Sequence, residues 1–249
     1  VFIIIFITLC IQYALGYLIN RIKALHHPVV PFITSGCTYG LLGLPLYAAI
    51  FGIENVGKIS ILGIGHEFFV WIIFYTGMRM YYKNEKISWE IGKELIKSPT
   101  IISITLGIVF NLLGLGDWLQ SSSVSLGIYT TLQYLANLAT PLILIIIGFG
   151  LNLQKRYMKE SLKLLAIRML VMLTVGYTVK FFIINRIMPA DTLFDYAYFV
   201  FFIIPPPLSL PIFIGTYSNK ENEELANNTV VLNTIVSIAL FITFILFSR

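Results

Sequence analysis

The sequence predicts an all-α membrane protein, and three observations carry that prediction. Hydrophobic residues make up 57% of the 249 and charged residues only 12%, about half the charged share of a soluble domain. Mean hydropathy is +0.85. The apolar residues also fall in runs of about 20, the length of helix that crosses a hydrocarbon core, without the alternating ten-residue segments of an outer-membrane barrel. A water-soluble enzyme is excluded. So is a disordered or nucleic-acid-binding chain, because the net charge of +5 comes from scattered Lys and Arg and forms no basic patch. The two cysteines, Cys10 and Cys37, lie in apolar runs, so no disulfide framework is implied.

Eight stretches qualify as spans: roughly 1–19, 29–52, 57–79, 99–116, 126–152, 161–184, 195–217 and 228–247. The linkers are short and polar. The longest, 81–98, reads as a charged surface hairpin or short amphipathic helix, and 218–227 reads as a turn. Alternate loops put 12 of the 17 Lys and Arg on one side and four on the other, with Arg168 left inside a span. By the positive-inside rule the richer side is cytoplasmic, which sets the linker inside and the C-terminus outside.

Proline and glycine single out the second and seventh spans. The second carries Pro28, Pro31, Gly36, Gly40, Gly43 and Pro45; the seventh carries Pro205, Pro206, Pro207 and Pro211. Laying Gly43-Leu44-Pro45 over Ser209-Leu210-Pro211 sets an offset of 166, which also brings 1–19 onto 167–185 and 57–79 onto 223–245. Five spans separate the partners, an odd number, so the second copy is inverted. An inverted repeat with a discontinuous helix at the same place in each half is the architecture of many secondary transporters. Spans 99–116 and 126–152 have no counterparts before Val1, which itself starts inside an apolar run. The expected organisation is therefore the last three helices of a first repeat over 1–80, a cytoplasmic linker over 81–98 and a second five-helix repeat over 99–249. That is eight spans of a ten-helix protein lacking its first two, with a plain eight-helix protein as the alternative reading.

Thr38-Tyr39-Gly40-Leu41-Leu42-Gly43-Leu44-Pro45 resembles the Asn-Thr-Gly-Phe-Leu-Gly-Leu-Pro-type signature of the auxin efflux carrier family, which includes plant auxin exporters and bacterial malate-permease-like carriers. Leu135-Ala136-Asn137-Leu138-Ala139-Thr140-Pro141-Leu142, with Gly148 and Gly150, is similar to that family's seventh helix. The stretch from Ile204-Pro205-Pro206 through Tyr217 into Val230–Ser237 is similar to its ninth and tenth. The resemblance covers essentially the whole chain. It implies ten helices in two inverted halves whose broken helices cross at the centre. Thr38 stands where the family usually has asparagine, so a side-chain amide contact to substrate is not carried over from that position.

In hydrocarbon an unpaired backbone N–H or C=O costs several kcal/mol, so a broken helix survives only where it lines a cavity or meets a polar partner. Proline enforces a break by removing a donor and clashing with the preceding turn. Pro45 and Pro211, with Gly43, Pro205, Pro206 and Pro207 ahead of them, are the candidate substrate cradle, joined by Thr38 and Asn137. Free half-helix N–H ends suit a carboxylate and free carbonyl ends suit a cation. The same prolines also read as plain kinks in packed helices.

Intramembrane charges are functional candidates. Glu67 lies about ten residues, or roughly 15 Å, into its helix and is placed to bind a coupling proton or to pair with a cation. Its neighbour His66 points about 100° away and reads as packed or as a gating partner; Val70 rules out a His-Glu-x-x-His zinc motif. Arg168 lies about 10 Å from its helix end, within snorkelling reach, with an anion or Glu67 as the alternative partner. Lys180 reads as an interface anchor. Asn137, Thr140, Asn227, Asn228 and Asn233 are either cavity-lining or helix–helix glue. No enzymatic nucleophile–base pair, metal-ligand cluster or cofactor motif is visible. The resemblance implies a secondary carrier of a small organic anion of malate or auxin type, coupled to a proton or sodium ion in the lipid bilayer, with a homodimer compatible with the fold. The alternative is a non-transporting sensor or assembly partner that keeps the carrier fold.

Overall fold

The computed structural model of the chain describes residues 1–83, 93, 96–97, 99–121, 123–150 and 153–248. They fall into two units, Val1–Glu85 with Gly150–Arg249, and Lys86–Phe149. Every regular element among the described residues is helical. Among the described residues four helices are long and apolar enough to cross a membrane, which makes this an all-α membrane protein. In the first unit they are α1 (Phe2–Asn20), α4 (Ile53–Lys83), α8 (Lys155–Ile187) and α11 (Lys220–Ser248).

Between the members of each pair the chain is broken into short helices. The stretch after α1 gives α2 (Val30–Ile33) and α3 (Tyr39–Phe51). The stretch after α8 gives α9 (Thr192–Ile203) and α10 (Leu210–Tyr217). Spans 29–52 and 195–217 are therefore interrupted, as the punctuation suggested, but the breaks fall ahead of Pro45 and Pro211. Ile204 precedes Pro205 and is extended, at φ −65° and ψ 152°, since a following proline disfavours helical geometry. Three consecutive prolines then keep the chain from re-forming the ladder. Pro211 sits in the first turn of α10, where a missing N–H costs nothing. The first break has no proline of its own. Thr34 to Thr38 leave the helix through Gly36 at φ +67°, a conformation costly for any residue with a Cβ. Pro45 follows a widened turn, in which the Gly43 amide donates to the Thr38 carbonyl over 3.2 Å.

The stripes of α1 show how the unit packs. Ile5, Leu9, Gln12, Tyr13 and Gly16 are buried while Ile3, Ile7, Ile11 and Leu18 are exposed, the two faces of a 3.6-residue period. An aromatic cluster of Tyr13, Phe32, Phe69 and Phe74 binds α1, α2 and α4 together. Gly63 of α4 supports the Tyr39 ring, and a Cβ there would collide with that ring.

Three expectations change. The 218–227 turn is helical, because α11 begins at Lys220; Glu221 and Glu223 in its first turn suit a helix N-terminus. Helix α8 begins at Lys155, six residues before the predicted span. Lys180 is not an interface anchor: it is 9% exposed and pairs with Asp195 at 2.8 Å and Asn185 at 3.0 Å. Most of the 81–98 linker lies outside the described residues.

The second unit holds α5 (Pro99–Leu112), α6 (Leu115–Gln120) and α7 (Ser123–Gly150). The predicted span 99–116 ends at Leu112, and the chain turns at Gly114 with φ +67°. Helix α7 runs through Pro141.

Outside the spans, Asp191 caps α9: its Oδ1 accepts the Phe194 amide at 3.1 Å and its Oδ2 pairs with the Lys58 ammonium. Lys58 first, then the amide, hold the Asp191 carboxyl below the usual carboxylate range. A lowered folded pKa contributes stability that is present above about pH 4, the unfolded value, and lost as pH falls through the folded value. Wild type is expected to lose more melting temperature between pH 6 and pH 3 than Asp191→Asn does, measured by thermal unfolding in detergent.

Candidate functional site

The two breaks meet. The Thr38 amide donates to the Pro205 carbonyl at 2.8 Å, and the Thr38 hydroxyl donates to the Pro206 carbonyl at 2.5 Å. Pro207 packs beside Gly36, and Ile204 packs beside Gly43. Thr38, Gly43, Pro205, Pro206 and Pro207 are thus brought together at one crossing. Pro211 stands in the first turn of α10, and Pro45 lies within α3 beyond its widened first turn.

Arg168 closes the crossing from α8. It is fully buried. One guanidinium nitrogen donates to the Ile33 carbonyl at 2.7 Å, and the other donates to Gly36 at 3.0 Å and to Ile204 at 2.8 Å. Ile33 ends α2 and Ile204 ends the α9 side, so one cation caps the carbonyl ends of both broken helices. The expectation that these ends attract a cation therefore holds, with the protein supplying it. Snorkelling is overturned. From Lys155 the residue lies 13 positions in, about 20 Å at 1.5 Å per residue, and its bonds go to backbone rather than water or Glu67. Planar, multidentate donation is what arginine does and lysine does not.

His66 holds the same loop from α4. Its Nε2 accepts the Cys37 amide at 2.8 Å, and the ring is 3% exposed. An imidazole nitrogen that accepts a backbone N–H carries no proton, so the neutral ring has its hydrogen on Nδ1. That atom lies 3.4 Å from Glu67 Oε1 and is without a hydrogen bond of normal geometry. The Glu67 side chain is 17% exposed. A chain of groups thus runs from a partly open carboxylate through a buried imidazole to the backbone of the first break. His66 and Glu67 act as a pair, and Arg168 reaches the same loop from its other side.

Asn137 lies on α7 of the other unit and is exposed there. Asn228 ties the Gln154 amide at 2.6 Å and Ser161 at 2.9 Å, which is helix–helix glue. Asn233 donates to the Thr229 carbonyl of its own helix and leaves its buried Oδ1 without a partner.

Four residues not singled out from the sequence belong to the site. Cys37 supplies the amide that His66 holds. The Ser209 hydroxyl meets the Tyr75 hydroxyl at 2.9 Å, tying the second break to α4. The Ser237 hydroxyl donates to the Ile203 carbonyl at 2.5 Å. The 166-residue offset pairs Gly43 with Ser209, and the stretch that carries the family resemblance includes Ser209 and Ser237; no such signal pointed toward Tyr75 or the Cys37 amide. Comparison with family models, with curated proteins and with solved structures returns no match.

Chemically the site offers two kinds of group. Arg168 occupies the carbonyls of Ile33, Gly36 and Ile204. The first turn of α3 is not capped by a side chain, and Gly40 there is exposed with open space around it. Uncapped amides at a helix start favour an anion.

Proposed function

We propose that the chain is a secondary carrier of a small organic anion that works by alternating access around the two crossed breaks. The two halves are read as an inverted repeat in a multi-pass cell-membrane protein with its C-terminus outside. The observation that carries the reading is the pair of breaks bonded to each other and capped together by Arg168. Such broken helices at membrane depth are the usual seat of a carrier's site. The substrate's carboxylate lies against the uncapped amides that open α3. Glu67 takes up the coupling proton, or holds a sodium ion, and His66 passes its charge state to the Cys37–Thr38 backbone. The resemblance to the auxin efflux carrier family points to malate-like or indole-acetate-like acids.

A second reading has one observation in its favour. Arg168 leaves the crossing closed and its carbonyls satisfied, which is also what a non-transporting sensor or assembly partner with this fold requires. Proteoliposome flux separates the two. Wild type is expected to move labelled malate or indole-3-acetate, and Glu67→Gln is expected to cut the rate by about a hundredfold or more, the scale of losing one positioned proton-transfer group, with Pro211→Ala lowering it less because Pro211 stands inside the first turn of α10 rather than at the break. Flux that both substitutions leave untouched removes these assignments. Folded wild type that moves no small carboxylate favours the non-transporting reading.

A further inference from the structure

At the end of α1 away from its first residue lies a cavity of about 500 Å³ lined by Tyr17, Asn20, Arg21, Lys23, His26 and Tyr81. It is separate from the crossing, and its walls are built by one residue. Asn20 is 8% exposed. Its carbonyl accepts from His26 Nδ1 at 2.7 Å, its Oδ1 accepts the His27 amide at 2.8 Å, and its Nδ2 donates to the Tyr81 hydroxyl at 3.3 Å. These bonds tie the loop after α1 back to the end of that helix and to Tyr81.

Two fixed positive charges remain uncompensated. Arg21 and Lys23 have no ion pair among the described residues. The two carboxylates that act on the neighbouring His27 are both paired: Glu160 with Lys163 at 3.6 Å and Glu221 with Arg156 at 3.4 Å. Along the same helix, Ile3, Ile7, Ile11 and Leu18 form an exposed apolar stripe, and Ile22 beside the cavity is 51% exposed. A cationic, aromatic-walled cavity at the end of a lipid-facing stripe matches one amphiphile in both its parts.

We propose that this cavity binds the headgroup phosphate of an anionic phospholipid, with the acyl chains lying along the α1 stripe. Arg21 and Lys23 contact the phosphate oxygens, and the Tyr17 and Tyr81 rings flank the glycerol. Each basic side chain near a charged membrane surface strengthens binding about fivefold, so the pair separates anionic from zwitterionic lipid by roughly tenfold or more.

The test uses the full chain in detergent, titrated with short-chain phosphatidylglycerol, short-chain phosphatidylcholine, or inorganic phosphate, and read by native mass spectrometry and melting temperature. The expected result is saturable binding of phosphatidylglycerol at least about tenfold tighter than phosphatidylcholine, from the same charge count. The double variant Arg21→Gln, Lys23→Gln is expected to lose that preference, while the equally charged control Lys155→Gln, Lys159→Gln keeps it. Both pairs are surface residues. Equal loss in the control means a diffuse basic belt and overturns the proposal. Inorganic phosphate that saturates the cavity and displaces the lipid entirely means a free-anion site and overturns the lipid assignment. A dimer that buries the α1 stripe and excludes lipid overturns it as well. The result is independent of flux, so the carrier reading and this one fail separately.

Discussion

Arg168→Leu is expected to lower the melting temperature by about 10 °C or more and to abolish flux. The substitution leaves the carbonyls of Ile33, Gly36 and Ile204 buried without the donor that holds them. Hydrogen bonds to a charged group are worth roughly 1.5–3 kcal/mol each, and breaking a buried charged arrangement by removing one partner costs about 3–5 kcal/mol. For a chain of this length each kcal/mol is worth about 2–4 °C. Arg168→Lys keeps the charge but cannot reach three carbonyls from one ammonium, so its melting temperature should fall between the two. Thermal unfolding of purified protein checks both. A leucine variant as stable as wild type means that the carbonyls find other partners and that Arg168 does not hold the crossing shut.

Removing the His66 acceptor should loosen the first break without unfolding the protein. In His66→Phe the Cys37 amide, in a buried loop, loses the acceptor it has among the described residues. An unpaired buried donor costs about 1–3 kcal/mol, and 1.4 kcal/mol is about tenfold in an equilibrium. Cys37 is itself the reporter, being 2% exposed in wild type. With Cys10→Ala as background, the rate of Cys37 alkylation by a membrane-permeant maleimide is expected to rise about tenfold or more in His66→Phe. His66→Gln, which retains an acceptor, should restore part of the protection. An unchanged rate means that His66 does not govern the loop, and the link from Glu67 to the break goes with it.

What the sequence made legible and what it hid have physical reasons. Helices α1 and α11 announce themselves because lipid contact demands unbroken apolar length. The second break is readable because Pro205, Pro206 and Pro207 forbid a helix by covalent structure alone. The first break was placed too late, at Pro45, whereas the chain departs through Thr34, Ser35 and a left-handed Gly36. Glycine permits that departure but does not dictate it. The depth of Arg168 was halved because a hydropathy window starts α8 where polarity ends, whereas Lys155 to Lys163 are already helical. Its bonding partners lie 135, 132 and 36 residues away, and no local pattern encodes contacts at that separation. The Cys37–His66 and Tyr75–Ser209 bonds are hidden for the same reason: they are properties of the crossing, not of either helix.

The central claim is that transport proceeds by relative movement of the two breaks. Its most direct test is a reversible lock between them. A Cβ at residue 43 would sit 2.6 Å from Ile204 Cδ1 and 3.9 Å from its Cγ2, close enough for a disulfide between two cysteines there. Gly43→Cys with Ile204→Cys, in a background of Cys10→Ala and Cys37→Ala, is to be reconstituted and assayed for carboxylate flux before oxidation, after oxidation and after reduction. The account predicts flux that stops when the bridge forms and returns when it is reduced. Undiminished flux through a fully bridged protein would contradict it.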